Sequence, residues 1–242
     1  KLSEKKSNSS AGEDDWVGDF SAVTAAGKYY ISCTGLDNSY TFEIGADPYS
    51  ALFTDSVKML DLQRCGEAVS AGAHSHPACH TSMATVYGTN QQIDVSGGWH
   101  DAGDYGRYVV AAAKAVGDLL YAYQAGGDAS ILTTTKYELD WMLKMQADNG
   151  GVYHKVTCES FPGYVAPQEE TAPLSVTPIS STATADFCAS MALAAQAYKA
   201  TDAAYAQKCL AAAEKAWAYL EANPNFNFQN PSDISTGEYG DK

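Results

Sequence analysis

The sequence predicts a mainly helical protein with a short β segment at its start. From Pro48 onward, apolar side chains recur at three- and four-residue spacing, as one buried face of an α-helix requires. Residues 1–46 instead contain short runs in which apolar and polar positions alternate, as in strands. Hydrophobic residues make up 45% of the chain, enough for a buried core and too many for a disordered chain.

The β segment is interpreted as the end of a larger β module. Its alternating runs lie at 29–31 and 40–44, and glycine, aspartate and asparagine separate them. Two or three strands are too few for an independent sandwich. We therefore assign residues 1–46 to the closing strands of such a module and residues 47–242 to a separate helical domain.

Five helices are predicted in the second domain, each with an apolar stripe at helical spacing. They span residues 49–63, 108–124, 131–146, 183–198 and 202–222. Ser181 and Thr182 are candidate N-caps of the fourth helix, and the sequence "NPNF" ends the fifth. Long connections remain at 64–103 and 149–181, and connections of that length in a compact domain usually carry function.

The charge of the chain argues against a polyanionic partner. Fifteen Lys and Arg residues stand against 29 Asp and Glu residues, for a net charge of −14. No basic face of the kind that binds nucleic acid is visible. No apolar run approaches the length of a membrane span, so we expect no membrane partner. Aromatic residues can stack on sugar rings, although a structural core explains most of them equally well.

Two carboxylates, Asp101 and Asp104, lie three residues apart in the stretch "DVSGGWHDAGDYGRYV". This spacing puts both on one side of a helical turn. Close carboxylates oppose each other's ionisation, which can tune one as a base while the other orients water. The structural alternative is that Asp104 caps the following helix and Asp101 is a loop acid. The spacing alone leaves both interpretations open.

A second candidate site combines cysteine and histidine. Cys65, Cys79, His80 and His100 are the residue types of a closed structural zinc site. Their spacing is not that of a zinc finger, so two alternatives stay open: a Cys65–Cys79 disulfide, and histidines that are unrelated surface residues. Metal binding by His100 would fix the backbone one residue before Asp101.

Two further segments are weaker candidates. The run "GGVYHKVT" places His154 and Lys155 on a strand-like segment, where a solvated strand end and a substrate contact are both possible. Near the end of the chain, "STGEYGD" crowds Glu238, Tyr239 and Asp241 beside glycines, as in a binding loop.

Taken together, these residues resemble glycoside hydrolase family nine, the cellulase family of inverting β-1,4-glucanases. The stretch "DVSGGWHDAGDYGRYVV" closely resembles the family signature. Other motifs follow in the family's order: "LQRCG", "ACH", "LDWMLKMQ", "GGVYHKVT", "FPG", "STATADF", "AAEKAW" and "TGEYGD". The resemblance runs from about Tyr49 to the end. The preceding segment is similar to the closing strands of the immunoglobulin-like module that some members carry.

The resemblance implies roles for the candidate residues. Asp104 would be the general base that activates the attacking water, and Asp101 would help to hold that water. The implied structural zinc ligands are Cys65, Cys79, His80 and His100. The implied substrate contacts are His154 and Tyr239.

The resemblance also implies an architecture and a function. The family fold is an (α/α)6 barrel of twelve helices whose open cleft binds a β-glucan chain. Five predicted helices correspond to the N-terminal half of that barrel. The family's general acid, a glutamate, and most of the calcium ligands that follow "GEYGD" in relatives belong to segments outside this sequence. The expected function is inverting hydrolysis of β-1,4-glucosidic bonds by a secreted endoglucanase.

Three alternatives remain at this point. The parent enzyme can have another β-glycan specificity, or the protein can bind carbohydrate without cleaving it. The chain by itself is expected to be inactive, because it lacks the acid and half of the barrel.

Overall fold

A computed structural model describes residues 2–224, 227–237 and 239–240. It divides into two compact units, one that ends at Asp55 and one that begins at Ser56. Within the described residues, no helix has the length and apolarity that crossing a lipid bilayer requires.

The first unit contains two separate antiparallel pairs of short strands. β1 (Lys6–Asn8) pairs with β2 (Glu13–Asp15), and β3 (Gly27–Tyr29) pairs with β4 (Phe42–Ile44). The second pair falls where alternating aromatic residues predict strands. The first pair is built from polar residues and carries no such pattern, so the sequence did not predict it. The immunoglobulin-like assignment stays a prediction.

Five α-helices lie close to their predicted positions. They are α1 (Ser50–Leu62), α2 (Val109–Gln124), α3 (Ser130–Lys144), α4 (Ser181–Tyr198) and α5 (Ala203–Ala222). The prediction of helical character from apolar periodicity is therefore confirmed for all five.

The core of the second unit forms between α2, α3, α4 and α5. α4 packs along α5, and α2 packs against both α3 and α4. Ala194 and Ala216 are fully buried, and such small side chains allow close packing of helices. Trp141, Phe187 and Met191 are also almost fully buried and fill the remaining volume.

The N-cap of α4 lies one residue before its predicted position. The Ser180 side chain accepts a hydrogen bond of 2.9 Å from the Ala183 N–H, so Ser180, not Ser181 or Thr182, is the capping residue. α5 ends at Ala222, next to the "NPNF" sequence that predicted its end.

The two long connections contribute strands to one five-stranded sheet. The strands are β5 (Ala84–Val86), β6 (Gln92–Ile93), β7 (Arg107–Tyr108), β8 (Lys155–Thr157) and β9 (Ser175–Val176), in the order β6-β5-β9-β8-β7. Only the β5–β9 pair is parallel among these. Because β7 leads directly into α2, the sheet fixes the start of that helix and the acidic stretch before it.

Candidate active site and metal-binding cluster

The two predicted carboxylates lie in a hydrogen-bonded turn, which we call the acidic turn (residues 101–106). The Asp101 N–H donates to the Gly106 carbonyl over 2.9 Å, and the Tyr105 N–H donates to the Ala102 carbonyl over 3.0 Å. Tyr105 has a φ of +53°, a left-handed conformation that does not continue a helix. The spacing predicted one side of a helical turn, and that local structure is wrong: the helix begins only at Val109.

Asp104 is held so that one carboxylate oxygen is free. The residue is 3% exposed, and the Tyr108 hydroxyl donates a hydrogen bond to Oδ2. Within the described part of the chain, Oδ1 has no hydrogen-bond partner. The N-cap position of α2 is Tyr108 and has no side-chain cap. The capping alternative for Asp104 is therefore wrong.

Asp101 lies at the open side of the acidic turn. Its Oδ2 accepts a hydrogen bond of 2.9 Å from the Tyr239 hydroxyl. Partial desolvation raises the pKa of Asp101, the nearby Asp104 raises it further, and the hydrogen bond from Tyr239 opposes the increase. An exposed carboxylate beside a buried carboxylate with a free oxygen is an arrangement that can hold a water molecule and accept its proton.

A buried lysine supports this site from beneath, so the solvated strand end expected for Lys155 is wrong. Lys155 is fully buried, and its Nζ donates to the carbonyls of Thr236, over 3.1 Å, and Gly237. The same Nζ lies 5.4 Å from the ring centroid of Tyr108, which packs edge-on against Tyr239 at 4.9 Å. A lysine on a strand-like run was the only signal in the sequence, and it did not reveal a partner some eighty residues away.

His154 occupies the position next to Lys155 but faces the interior. It is fully buried, its Nδ1 lies 2.8 Å from the Ser180 hydroxyl, and its ring stacks on Phe228 with centroids 3.9 Å apart. The solvated strand end is therefore wrong for this residue. The substrate contact stays a prediction, and it requires the ring to become accessible.

The predicted cysteine and histidine ligands come together in one group of side chains, which we call the metal cluster. Donor atoms of Cys65, Cys79, His80 and His100 all lie within 4.8 Å of one another. All six cysteines are free thiols, and the sulfurs of Cys65 and Cys79 are 4.0 Å apart, so the disulfide alternative is wrong.

The donor set fits a metal ion. Both ring nitrogens of His80 are buried and have no hydrogen-bond partner in the described residues, as expected of a side chain whose natural partner is a metal. The hydrogen bond between Cys79 and Cys65, together with contacts to His100 and His80, lowers the pKa of the Cys79 thiol. The cluster thus favours a thiolate at Cys79, which is the form that binds metals.

Backbone pairing brings the ligands together and connects them to the acidic turn. The Cys65 N–H donates to the Gly98 carbonyl over 2.8 Å, and the His100 N–H donates to the Gln63 carbonyl over 2.7 Å. The Tyr105 ring packs against His100, with centroids 5.1 Å apart. The metal cluster and the acidic turn are therefore neighbouring parts of one structure.

Two residues of the predicted binding loop, Glu238 and Asp241, lie outside the described residues. The calcium ligands that the resemblance implies follow "GEYGD". Calcium binding stays a prediction.

The fold of this chain resembles those of solved endoglucanases. The fold resembles a thermostable endoglucanase from Alicyclobacillus acidocaldarius, with a TM-score of 0.85, 41% identity and coverage of 93% of this chain and 46% of that one. It also resembles a zinc-binding triple mutant of the family 9 endoglucanase J30, with a TM-score of 0.87, 33% identity and coverage of 98% and 49%. The five helices of this chain are consistent with part of a helical barrel.

The sequence comparison gives the family. Residues 49–242 match the profile of glycosyl hydrolase family 9. A cellodextrinase from Butyrivibrio fibrisolvens is 42% identical over 252 residues, which cover 95% of this chain and 46% of the relative. The chain belongs to glycosyl hydrolase family 9, and it spans about half the length of the curated relatives it matches.

Proposed function

We propose that the whole protein of which this chain is part hydrolyses β-1,4-glucosidic bonds in cellulose or related β-glucans, as an endoglucanase. The observation that carries this proposal is the buried Asp104 carboxylate, which is fixed at Oδ2 and has no hydrogen-bond partner at Oδ1 among the described residues, beside the open carboxylate of Asp101. Family membership and the similarity to endoglucanases and a cellodextrinase support it.

The proposed mechanism is a single displacement with inversion. Asp104 accepts the proton of the attacking water at Oδ1, while Asp101 holds that water and Tyr239 holds Asp101. A glutamate outside this chain protonates the leaving oxygen. In inverting enzymes the two carboxyl groups stand roughly 6.5–9.5 Å apart, because the water must fit between one of them and the sugar.

The metal cluster is proposed to bind structural zinc. Cys65, Cys79, His80 and His100 would supply four protein ligands, which complete a tetrahedral zinc shell and leave no position for substrate. Zinc would therefore add stability to the region around the acidic turn and would take no part in the reaction. A zinc-binding variant among the similar family 9 structures supports this assignment.

The remaining proposals concern the setting of the enzyme. We infer that it is secreted, that its N-terminal unit belongs to an immunoglobulin-like module, and that activity requires the other half of the barrel. Hydrolysis of an insoluble extracellular polymer supports secretion, and the paired strands of the first unit support the module.

The decisive experiment compares Asp104→Asn with Asp118→Asn in the full-length protein. Asp118 lies exposed on α2 in an ion pair with Lys114, so its variant controls for loss of an acid nearby. We expect Asp104→Asn to lower kcat on soluble β-1,4-glucan by at least about 1,000-fold and Asp118→Asn to change it less than about twofold. Wild-type turnover by Asp104→Asn would contradict the assignment of Asp104 as the general base.

Substrate and stereochemistry need a second measurement. Initial rates on cellulose, mixed-linkage glucan, xyloglucan and xylan would rank the specificity, and NMR of the first product would show whether the α-anomer forms, as inversion requires. Retention of the β-anomer would contradict the mechanism. Retardation in affinity gels without any product would instead indicate a carbohydrate-binding protein.

A further inference from the structure

Two buried ionisable side chains, Arg107 and Glu138, lie against the same backbone loop, and the proposed mechanism uses neither. The loop, which we call the glycine loop, comprises residues 95–99 and leads directly into His100 and Asp101. Both side chains are fully buried. Burial of charged groups is costly unless specific partners compensate for it, so their position requires an explanation.

Arg107 binds carbonyl groups of the glycine loop. Its Nη1 donates to the carbonyl oxygens of Val95 and Gly97, each over 3.1 Å. Arg107 itself is fixed in β7, where it pairs with Val156 of β8. The guanidinium therefore ties the first half of the glycine loop to the central sheet.

Glu138 faces a backbone N–H of the same loop, whereas Arg107 binds carbonyl groups. Trp99 lies opposite Arg64 in an antiparallel bridge. Two hydrogen bonds flank this bridge, one from the Cys65 N–H to the Gly98 carbonyl and one from the His100 N–H to the Gln63 carbonyl. The Trp99 N–H therefore points away from the paired segment. That N–H is directed to the Glu138 carboxylate. The N–H faces the carboxylate without a hydrogen bond between them, since neither carboxylate oxygen has a hydrogen-bond partner among the described residues. Glu138 also lines a cavity of about 220 Å³ together with His100 and Asp101.

The rest of the glycine loop also lies on α3, the helix that carries Glu138. The Trp141 ring lies under Gly98, where an added Cβ would come within 2.7 Å of the indole. Gly98 has a φ of +78°, which favours glycine. Lys144 donates to the Ser96 carbonyl over 2.7 Å. The glycine loop thus packs on one face of α3.

We propose that Glu138 and Arg107 are positioning residues that hold opposite polar groups of the glycine loop and thereby place His100 and Asp101. The proposal rests on the proposed glucanase function for its effect on turnover, but its structural part does not. Arg107 fixes the position of the Val95 and Gly97 carbonyls, and Glu138 that of the Trp99 N–H. Trp99 lies one residue before the metal cluster and two before the acidic turn.

The test uses three variants of the full-length protein: Glu138→Leu, Glu138→Gln and the control Thr135→Val. Leucine removes the acceptor but fills the buried space, and replacing a buried ionisable group by an apolar group need not reduce stability. Glutamine keeps an acceptor oxygen at the same position. Thr135 is fully buried on the same helix, and its hydroxyl donates to the Ile131 carbonyl of that helix.

Two readouts separate positioning from stability. The first is amide hydrogen exchange of peptides that cover residues 95–101, measured by mass spectrometry. We expect Glu138→Leu to speed this exchange by about tenfold or more, with Glu138→Gln and Thr135→Val close to wild type. The second is the split between kcat and KM, for which we expect kcat of Glu138→Leu to fall about 10–100-fold and KM to stay within about twofold.

The outcomes distinguish the two proposals. If wild-type protein cleaves no β-glucan, the proposed function fails, while the exchange data still test the positioning. If Glu138→Leu exchanges like Thr135→Val, or if Glu138→Gln is as impaired as Glu138→Leu, the positioning proposal is overturned.

Discussion

The Tyr108 hydroxyl donates a hydrogen bond to Oδ2 of Asp104, four residues earlier in the chain. Gly106 lies between them in sequence, and a Cβ there would come within 2.9 Å of Oδ2 and 2.7 Å of the Tyr108 ring. The contact is therefore closely packed. Burial raises the pKa of Tyr108, and Asp104 raises it further, so the hydroxyl remains a hydrogen-bond donor.

Removing that hydroxyl is expected to impair turnover more than folding. Tyr108→Phe leaves Oδ2 of Asp104 buried without its donor, which costs about 1–3 kcal/mol and frees the carboxylate to rotate. We expect kcat on soluble β-glucan to fall about tenfold or more with KM little changed. Tyr121→Phe, at an exposed position of α2, is the matched control. Equal kcat in the two variants would contradict a role for Tyr108 in orienting Asp104.

Lys155 connects the segment that carries Tyr239 to the sheet beneath the site. Lys155→Met removes the donor to the carbonyls of Thr236 and Gly237, and we expect a loss of about 2–4 kcal/mol in the free energy of unfolding. We also expect kcat to fall several-fold, because Asp101 loses its contact with Tyr239. Urea unfolding and steady-state kinetics measure the two effects.

The control for this variant is Lys114→Met, since Lys114 is exposed and pairs with Asp118 across one helical turn. A kcat for Lys155→Met equal to that of Lys114→Met would show that the Tyr239 segment holds its place without the lysine.

Metal content is expected to depend on the cysteine and histidine cluster. We expect about one zinc ion per chain in wild-type protein and almost none in Cys79→Ser, because serine does not replace a thiolate ligand. The loss is expected to lower the unfolding midpoint by about 5–10 °C, equivalent to roughly 2–4 kcal/mol.

Cys188→Ser is the control for the metal experiment. Cys188 is half-buried, and its thiol bonds the Ala213 carbonyl outside the cluster. Elemental analysis and thermal unfolding of both variants measure the difference. Metal retained at wild-type level in Cys79→Ser would overturn the ligand set.

The helices and the ligand residues could be predicted from sequence for specific physical reasons. Apolar periodicity over fifteen or more residues, as in α2 and α5, is a strong signal because it repeats over several turns. Cysteine and histidine are rare enough that four of them close together in sequence already indicate a common site. The donor atoms within 4.8 Å agree with that grouping.

The sheet and the buried charges could not be predicted in the same way. Strands of two or three residues, such as β7 and β9, are too short to show alternation. The roles of Arg107, Glu138 and Lys155 depend on carbonyl and N–H groups, which every residue carries and no sequence pattern marks. The turn at Asp101 and Asp104 likewise depends on backbone hydrogen bonds rather than on residue spacing.

The final prediction concerns stability against pH and arises from Glu138. Burial raises the pKa of this carboxyl to about 8, against 4.5 for the free side chain, although the Trp99 N–H and the charge of Arg107 oppose the increase. Between these two values the folded protein binds more protons than the unfolded chain. Stability contributed by this group therefore falls as pH rises from 4.5 to 8, by up to roughly 1.4 kcal/mol per pH unit.

Glu138→Gln stays uncharged at every pH and keeps an acceptor for Trp99. The substitution should therefore abolish the decrease in stability between pH 4.5 and 8. We expect the free energy of unfolding of wild type, relative to Glu138→Gln, to decrease by about 2–4 kcal/mol between pH 5 and pH 8. Urea unfolding at fixed ionic strength measures both, and Glu214→Gln at an exposed position of α5 controls for the loss of one acid. Titrating groups that do not interact with Glu138 act on wild type and variant alike and cancel in the comparison, whereas the Cys65 thiol interacts with Glu138 and contributes to the difference. Parallel stability curves for wild type and Glu138→Gln would show that Glu138 is already ionised in the folded protein at pH 5.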